Sequence, residues 1–102
     1  MPKEIILYNL ADHVTDEQYK DFVTKEKGPV LESLPSVKKY ELVKINGAMT
    51  GEIPYNYVGI VHLTNLDEFY NKDKKTQEFQ AVMAKLQTML KSVHLLYGEE
   101  IY

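Results

Sequence analysis

Two short segments of the sequence, Glu4–Leu10 and Tyr55–Leu63, have the pattern of β-strands that are apolar on both faces. The first contains the apolar run Ile5–Tyr8, and successive side chains of a strand point to opposite faces of its sheet. Such strands have no side that suits water, so both faces of the sheet must be covered. The chain has only about two helices, enough for one face. We therefore expect a second copy of the chain on the other face.

The rest of the pattern completes two strand–helix–strand blocks. Right-handed crossovers and burial of the apolar helix stripes favour an α+β, ferredoxin-like βαββαβ sandwich that pairs face to face as a homodimer. A long connection, Gly47–Pro54, could serve as a lid, and Lys72–Lys75 is expected to be a solvated break. The other predicted elements are a first helix that begins at the capping box Thr15–Gln18, a second strand Val37–Asn46, a short helix from Asn65 to about Asn71, a longer helix Thr76–Lys91 and a fourth strand Val93–Tyr102.

Composition indicates one domain, residues 1–102, and excludes several classes of protein. The formal net charge is -3 and no Lys/Arg stripe stands out, so we expect no nucleic-acid partner. The chain has no cysteine, which excludes disulfides, thiolate catalysis and Cys-based metal sites. The apolar run near the start is too short for a membrane span, which favours a cytoplasmic protein without a membrane partner. Nucleotide-binding, metallohydrolase and serine-hydrolase motifs are absent.

Glu26 is the first candidate catalytic residue. It falls within the apolar stripe of the first helix, where a carboxylate would face a pocket, have a raised pKa and act as acid or base. Alternatively it lies at the helix edge and reaches solvent past a kink, because Gly28-Pro29 should interrupt the helix near Lys27. The stripe consists of Tyr19, Phe22, Val23, Val30, Leu31 and Leu34.

His62 is the second candidate, because it interrupts an otherwise apolar strand and could act as a general base. The alternative is a hydrogen-bonded histidine at the strand end or the dimer interface. The histidines at 13, 62 and 94 lack metal-ligand spacing, so no metal site is predicted. Glu78 could cap the last helix or point into the same cavity.

Eight tyrosines and no tryptophan form the third candidate feature. A tyrosine offers an aromatic wall with a polar tip, which suits a flat aromatic ligand, although such residues also fill cores and interfaces. We predict that the substrate-binding wall comprises Tyr8, Phe22, Tyr40, Val61 and Phe79, with Tyr57 beside it.

Two segments carry a resemblance to a known superfamily. The segments Lys25–Val30 and Leu34–Tyr40 are similar to the helix end and second strand of small dimeric α/β-barrel proteins, which include the EthD-type proteins and the cofactor-free antibiotic-biosynthesis monooxygenases. Within that superfamily the chain resembles the RedY-like group of prodiginine-type pigment biosynthesis. The resemblance extends over nearly the whole chain: Ile5–Asn9, Glu17–Phe22, Leu34–Tyr40, Tyr57–Ile60 and Leu66–Phe69.

The resemblance implies a ferredoxin-like homodimer that acts on an aromatic pyrrole, indole or polyketide-like compound without a metal or organic cofactor. EthD-type proteins usually carry a histidine where this chain has Lys27, and related cyclases use histidines near the positions of Tyr57 and Glu78. A histidine mechanism is therefore absent here or rebuilt from Tyr57, Glu26 and Glu78. The alternatives are a cofactor-free monooxygenase or cyclase, a non-catalytic carrier, and a dimer module whose side chains fill its cavity.

Overall fold

The computed structural model describes all residues 1–102 and has the predicted ferredoxin-like topology. A four-stranded antiparallel sheet with strand order β2-β3-β1-β4 carries the helices on one face. In chain order the elements are β1 (Pro2–Leu10), α1 (Asp16–Phe22), a π-helical turn (Val23–Lys27), α2 (Gly28–Ser33), β2 (Val37–Lys44), β3 (Tyr57–Leu63), α3 (Leu66–Asn71), a 3-10 turn (Asp73–Lys75), α4 (Gln77–Leu86) and β4 (Leu90–Glu99).

The two faces of the sheet are covered unequally. On the helix side, Tyr8 and Val61 are fully buried, as the alternation of side chains along a strand requires. On the opposite side the apolar side chains of the strands remain partly or largely exposed, since no element of the chain packs on them. These side chains are Ile5, Leu7, Val43, Val58, Ile60 and Leu96.

The helices begin where the sequence predicts. Thr15 accepts a hydrogen bond from the backbone amide of Gln18, whose side chain in turn accepts one from the Thr15 amide, so the capping box is complete. Asn65 and Thr76 cap α3 and α4, since their side chains accept hydrogen bonds from the backbone amides of Glu68 and Phe79. No helix of the structure is long and apolar enough to cross a membrane.

The interruption expected near Lys27 takes the form of a π-helical turn. The amide of Gly28 donates to the carbonyl of Val23, five residues earlier, so the turn holds one residue more than an α-helical turn. Pro29 then occupies the first turn of α2, where its missing N–H costs no hydrogen bond. The wider turn lets the helix pass a proline without a break, because it spares the clash with the preceding carbonyl.

Two sequence predictions of local structure are wrong. The last helix ends at Leu86 and β4 already begins at Leu90, since the backbone turns there and the amide of Ala11 bonds the carbonyl of Met89 at 2.8 Å. The segment Lys72–Lys75 is not a solvated break. It contains a 3-10 turn in which Asp73 is buried and accepts hydrogen bonds from the backbone and hydroxyl of Ser36.

Candidate functional site

A cavity of about 420 Å³ lies between the sheet and α4, bordered on one side by the π-helical turn. Its walls are mostly apolar, and its polar lining includes the buried side chains Glu4 and Lys27 together with Lys74. The open side lies at β4, where half-exposed Val93 and Leu95 form the rim. The apolar wall is formed by Ile6, Leu31, Val61, Phe79, Met83 and Leu86.

Lys27 is the most unusual group in this cavity. Its side chain is buried, with the residue only 1% exposed, and it carries no carboxylate partner. Its ammonium nitrogen Nζ donates to the hydroxyl of Tyr19 at 3.0 Å and to that of Tyr8 at 3.5 Å. Buried lysines are rare unless they are paired with an acid. The site therefore holds an amine whose only hydrogen-bond partners are phenol hydroxyls.

Aromatic rings surround this amine on three sides. Nζ of Lys27 lies 5.3 Å from the ring centre of Tyr8, 5.6 Å from that of Tyr19 and 5.2 Å from that of Tyr40. The hydroxyls of Tyr8 and Tyr19 are 2.5 Å apart, and the ring of Tyr57 stacks on Tyr8 at 5.7 Å. The hydroxyl oxygen of Tyr40 is buried and has no hydrogen-bond partner. We call Lys27, Tyr8, Tyr19 and Tyr40 the amine cluster.

Burial shifts the protonation of the amine cluster. It lowers the pKa of Lys27 to about 7, because the charged form loses its water, and the negative charge of Glu4 opposes this only in part. Burial raises the pKa of Tyr19 to about 12, and it raises the pKa values of Tyr8 and Tyr40 further. Near neutral pH the phenols are therefore protonated, while the amine exists in both its neutral and its charged form.

A second polar group of the cavity contains a carboxylate. Buried Glu4 accepts hydrogen bonds from the hydroxyl of Tyr70 at 2.5 Å and from Nζ of Lys74 at 2.9 Å. The same Nζ lies 4.2 Å from the ring centre of Tyr70 and 5.0 Å from that of Phe69. We call Glu4, Tyr70 and Lys74 the acid cluster. Its charges are paired and its hydrogen-bonding groups are satisfied.

None of the four predicted catalytic side chains lines the cavity. Glu26 was expected to face it, but its carboxylate is 42% exposed and pairs with Lys85 at 2.6 Å. The alternative prediction, a carboxylate that reaches solvent, describes its position. Glu78 is exposed in the first turn of α4, where the alternative prediction of a helix-start residue fits its place. The expectation that either acid points into the cavity is wrong.

The other two lie on different surfaces. His62 is on the uncovered face of the sheet, where its Nε2 is 2.5 Å from Oε1 of Glu41, so it is hydrogen-bonded as its alternative interpretation required. That hydrogen bond lowers the pKa of Glu41. The ring of Tyr57 is buried against Tyr8, but its hydroxyl points away from the cavity and donates to Asp16 at 2.5 Å.

Of the residues predicted to form a substrate-binding wall, three lie in the lining of the cavity and two do not. Tyr8, Val61 and Phe79 line the cavity. Tyr40 lies behind them beside the amine of Lys27, and Phe22 packs in the core near Tyr19.

Sequence reasoning missed Lys27, Glu4 and Lys74 as cavity residues. Lys27 was noted only as a departure from the histidine of related proteins, whereas the Gly28-Pro29 pair that follows it marks the widened turn. A lysine directly before a Gly-Pro pair was the sequence signal that could have identified Lys27 as a buried residue. No group of three or more His, Cys, Asp or Glu side chains is placed to hold a metal ion.

A larger cleft of about 640 Å³ lies at one end of the sheet, but it is open and mostly polar. Its acid, Asp16, already accepts hydrogen bonds from Tyr57 and from Lys44, which lower its pKa. The connection Gly47–Pro54 reaches only the rim of this cleft and the uncovered sheet face, so it forms no lid on the enclosed cavity. The enclosed cavity is therefore the better candidate site.

Comparison with known proteins gives a family and several similar folds. The family model described as "REDY-like protein HapK" matches residues 2–101. The structure is similar to HapK from Hahella chejuensis, with a TM-score of 0.81, 23% identity, and coverage of 99% of this chain and 93% of that one. A dimeric ferredoxin-like protein of unknown function from Thermobifida fusca gives a TM-score of 0.76 at 20% identity, covering 97% and 90%.

A third similar structure is SnoaB from Streptomyces nogalater, described as a cofactor-independent oxygenase. It gives a TM-score of 0.77 at 11% identity, covering 99% of this chain and 93% of that one. No curated protein matches the chain. At these identities the structural likenesses establish the fold, and the family match establishes the relationship.

Proposed function

The chain belongs to the REDY-like HapK family, and on that premise we propose that it is a homodimer that binds a small aromatic compound of the pyrrole or indole type. The enclosed cavity is the observation that carries this proposal. Its volume of about 420 Å³ is in the range of small-molecule sites. Apolar walls with a few convergent polar groups suit a flat ring system that carries one polar substituent.

The amine cluster supplies the polar side of this proposed site. Tyr8 and Lys27 both line the cavity, and the amine of Lys27 lies 5.3 Å from the ring centre of Tyr8. An aromatic intermediate of pigment-like secondary metabolism would be held by ring stacking and oriented by hydrogen bonds. The acid and base functions assigned from sequence to Glu26, Glu78 and His62 pass in this proposal to Lys27 and its phenols.

Binding is tested by titrating the protein with indole and with 2,2′-bipyrrole in a calorimeter. Met83→Trp, which places a larger ring in the cavity wall, should weaken binding, whereas Ala84→Trp on the exposed side of α4 should leave it unchanged. Circular dichroism would establish that both variants fold. Failure of both probes to bind, or equal binding by both variants, would contradict the proposed site.

The homodimer part of the proposal rests on the uncovered sheet face. Ile5, Leu7, Val58 and Ile60 form a contiguous apolar patch at its centre, and such patches mark interaction surfaces. A second copy packed face to face would bury it, as two sheets do in a sandwich. The dimeric relative from Thermobifida fusca has the same fold.

Light scattering at micromolar concentration tests this assembly. We expect twice the monomer mass for the wild-type protein and a monomer for Ile60→Lys, which places a charge at the centre of the patch. Met49→Lys, in an exposed loop, is the matched control and should remain dimeric. A wild-type monomer would overturn the face-to-face assembly.

The similarity to a cofactor-independent oxygenase favours one alternative, oxidation of the bound aromatic by O₂. An oxygen electrode distinguishes binding alone from oxygenation, because oxygenation consumes O₂ in step with the substrate. Tight binding without turnover would instead indicate a carrier.

A further inference from the structure

We propose that Lys27 is a nucleophilic amine that forms an imine with an aromatic aldehyde bound in the cavity. This inference deepens the proposed function and rests on it, since it uses the same cavity. It names the substrate class, an aldehyde on a flat ring system, and the atom that reacts, Nζ of Lys27. The support comes from the position, partners and surroundings of this side chain.

The position of Lys27 suits a covalent role. Its side chain is almost fully buried and also lines the cavity, so a ligand inside the cavity would lie against it. The side chain comes from a π-helical turn, a feature that is frequent at functional sites. Burial also removes most rotamer freedom, so the amine is held in place before the ligand arrives.

The partners of Lys27 leave its nitrogen available. A carboxylate partner, such as the one that Lys74 has in Glu4, favours the charged ammonium form, which has no lone pair to offer. Lys27 is bonded only to the hydroxyl oxygens of Tyr19 and Tyr8, which do not carry a formal charge. Desolvation of a lysine in an apolar pocket is a recognised way of activating it toward carbonyl compounds.

The proposed reaction balances without an oxidant or a reductant. The lone pair of neutral Nζ forms a bond to the aldehyde carbon, the C=O π pair moves to oxygen, and one proton passes from nitrogen to that oxygen. The carbinolamine then loses its hydroxyl group and the second N–H proton as water, which leaves a C=N bond. Tyr8 lines the cavity, and its hydroxyl, which is hydrogen-bonded to both Lys27 and Tyr19, is placed to relay the proton.

The test is reductive trapping of the full-length protein with indole-3-carboxaldehyde and sodium cyanoborohydride near pH 7, followed by peptide mapping. The hydride converts the imine into a stable secondary amine that marks the reacting lysine. We expect modification of Lys27 at least about tenfold faster than of the exposed Lys85. Lys27→Met should abolish the fast modification of the protein, and Lys85→Met should leave the rate of that modification unchanged.

Two outcomes overturn the inference. One is trapping at the surface lysines alone. The other is no trapping at Lys27 although indole binds in the calorimeter, which would leave the binding proposal intact and remove the covalent step. Absence of both binding and trapping would count against the proposed function as well. The wild-type map answers the question even where Lys27→Met does not fold.

Discussion

The cavity holds two lysines in opposite situations, and the difference comes from one carboxylate. Lys74 sits against Phe69 and Tyr70 and pairs with Glu4. Lys27 sits against tyrosines as well, but no carboxylate forms an ion pair or a hydrogen bond with it. The comparison shows that aromatic surroundings alone do not fix the state of a buried amine. In the acid cluster the amine contacts a carboxylate directly, whereas in the amine cluster burial lowers the pKa of a lysine that has no such contact.

The largest effect is expected from breaking the acid cluster. Glu4→Leu leaves Lys74 without its partner in a mostly buried place, and loss of one member of a buried pair costs about 3 kcal/mol of unfolding free energy. Urea unfolding measures the loss. Glu26→Leu, which removes the acid of the half-exposed Lys85 pair, is the control and should cost less than about 1 kcal/mol. Equal losses would show that burial does not distinguish the two pairs.

The second effect sharpens the comparison through pH. The pKa of Lys27 is lowered to about 7, whereas the amine in the unfolded chain keeps its proton up to its ordinary value of 10.5. Between these values the unfolded state binds more protons, so the stability contributed at this site rises with pH. Lys27 therefore lowers the free energy of unfolding most below pH 7, where the buried amine must carry its charge.

Lys27→Met removes this titration. The stability of the wild-type protein relative to Lys27→Met should therefore rise by about 2 kcal/mol from pH 7 to pH 9. Urea unfolding of both proteins across this range measures it. Lys74→Met, whose amine has an acid partner, is the comparison and should not reproduce the trend. A constant difference between wild type and Lys27→Met would contradict a neutral buried amine.

A smaller effect is expected from the backbone that carries Lys27. A Cβ at Gly28 would lie 2.9 Å from the carbonyl oxygen of Val23, so Gly28→Ala must distort the π-helical turn. We expect a loss of about 1–2 kcal/mol and slower trapping at Lys27. Gly98→Ala in β4, where nothing lies within 4 Å, is the control and should retain both properties. Unchanged trapping in Gly28→Ala would show that the turn does not position the amine.

The smallest effect separates the phenols within the amine cluster. The Tyr40 hydroxyl has no partner, so Tyr40→Phe should change stability by less than about 0.5 kcal/mol or increase it. Tyr19→Phe removes a partner of both Lys27 and Tyr8 and should cost about 1 kcal/mol. Thermal unfolding measures the stability of the two variants. A larger loss of stability for Tyr40→Phe than for Tyr19→Phe would show that the Tyr40 hydroxyl does have a hydrogen-bond partner.

The fold was predictable because its rules are local. Doubly apolar strands, capping residues and crossover handedness specify the sandwich, and each agrees with the structure at Ile5–Tyr8 and at Thr15. The site was less predictable, since it depends on the phase of one helix. A strict α-helical period starting at Tyr19 puts Glu26 inside, but the π-helical turn shifts the inward position to Lys27. Glu4 and Lys74 lie 70 residues apart, and only the packing of the 3-10 turn against β1 brings them together.

The π-helical turn also has a consequence for length. Between Tyr19 and Lys27, both buried, the chain carries one residue more than an α-helix would need to point both inward. Deletion of a single outward residue such as Thr24 should therefore restore the α-helical spacing before Pro29, with the clash that the wider turn spares, so we expect the helix to kink or break there.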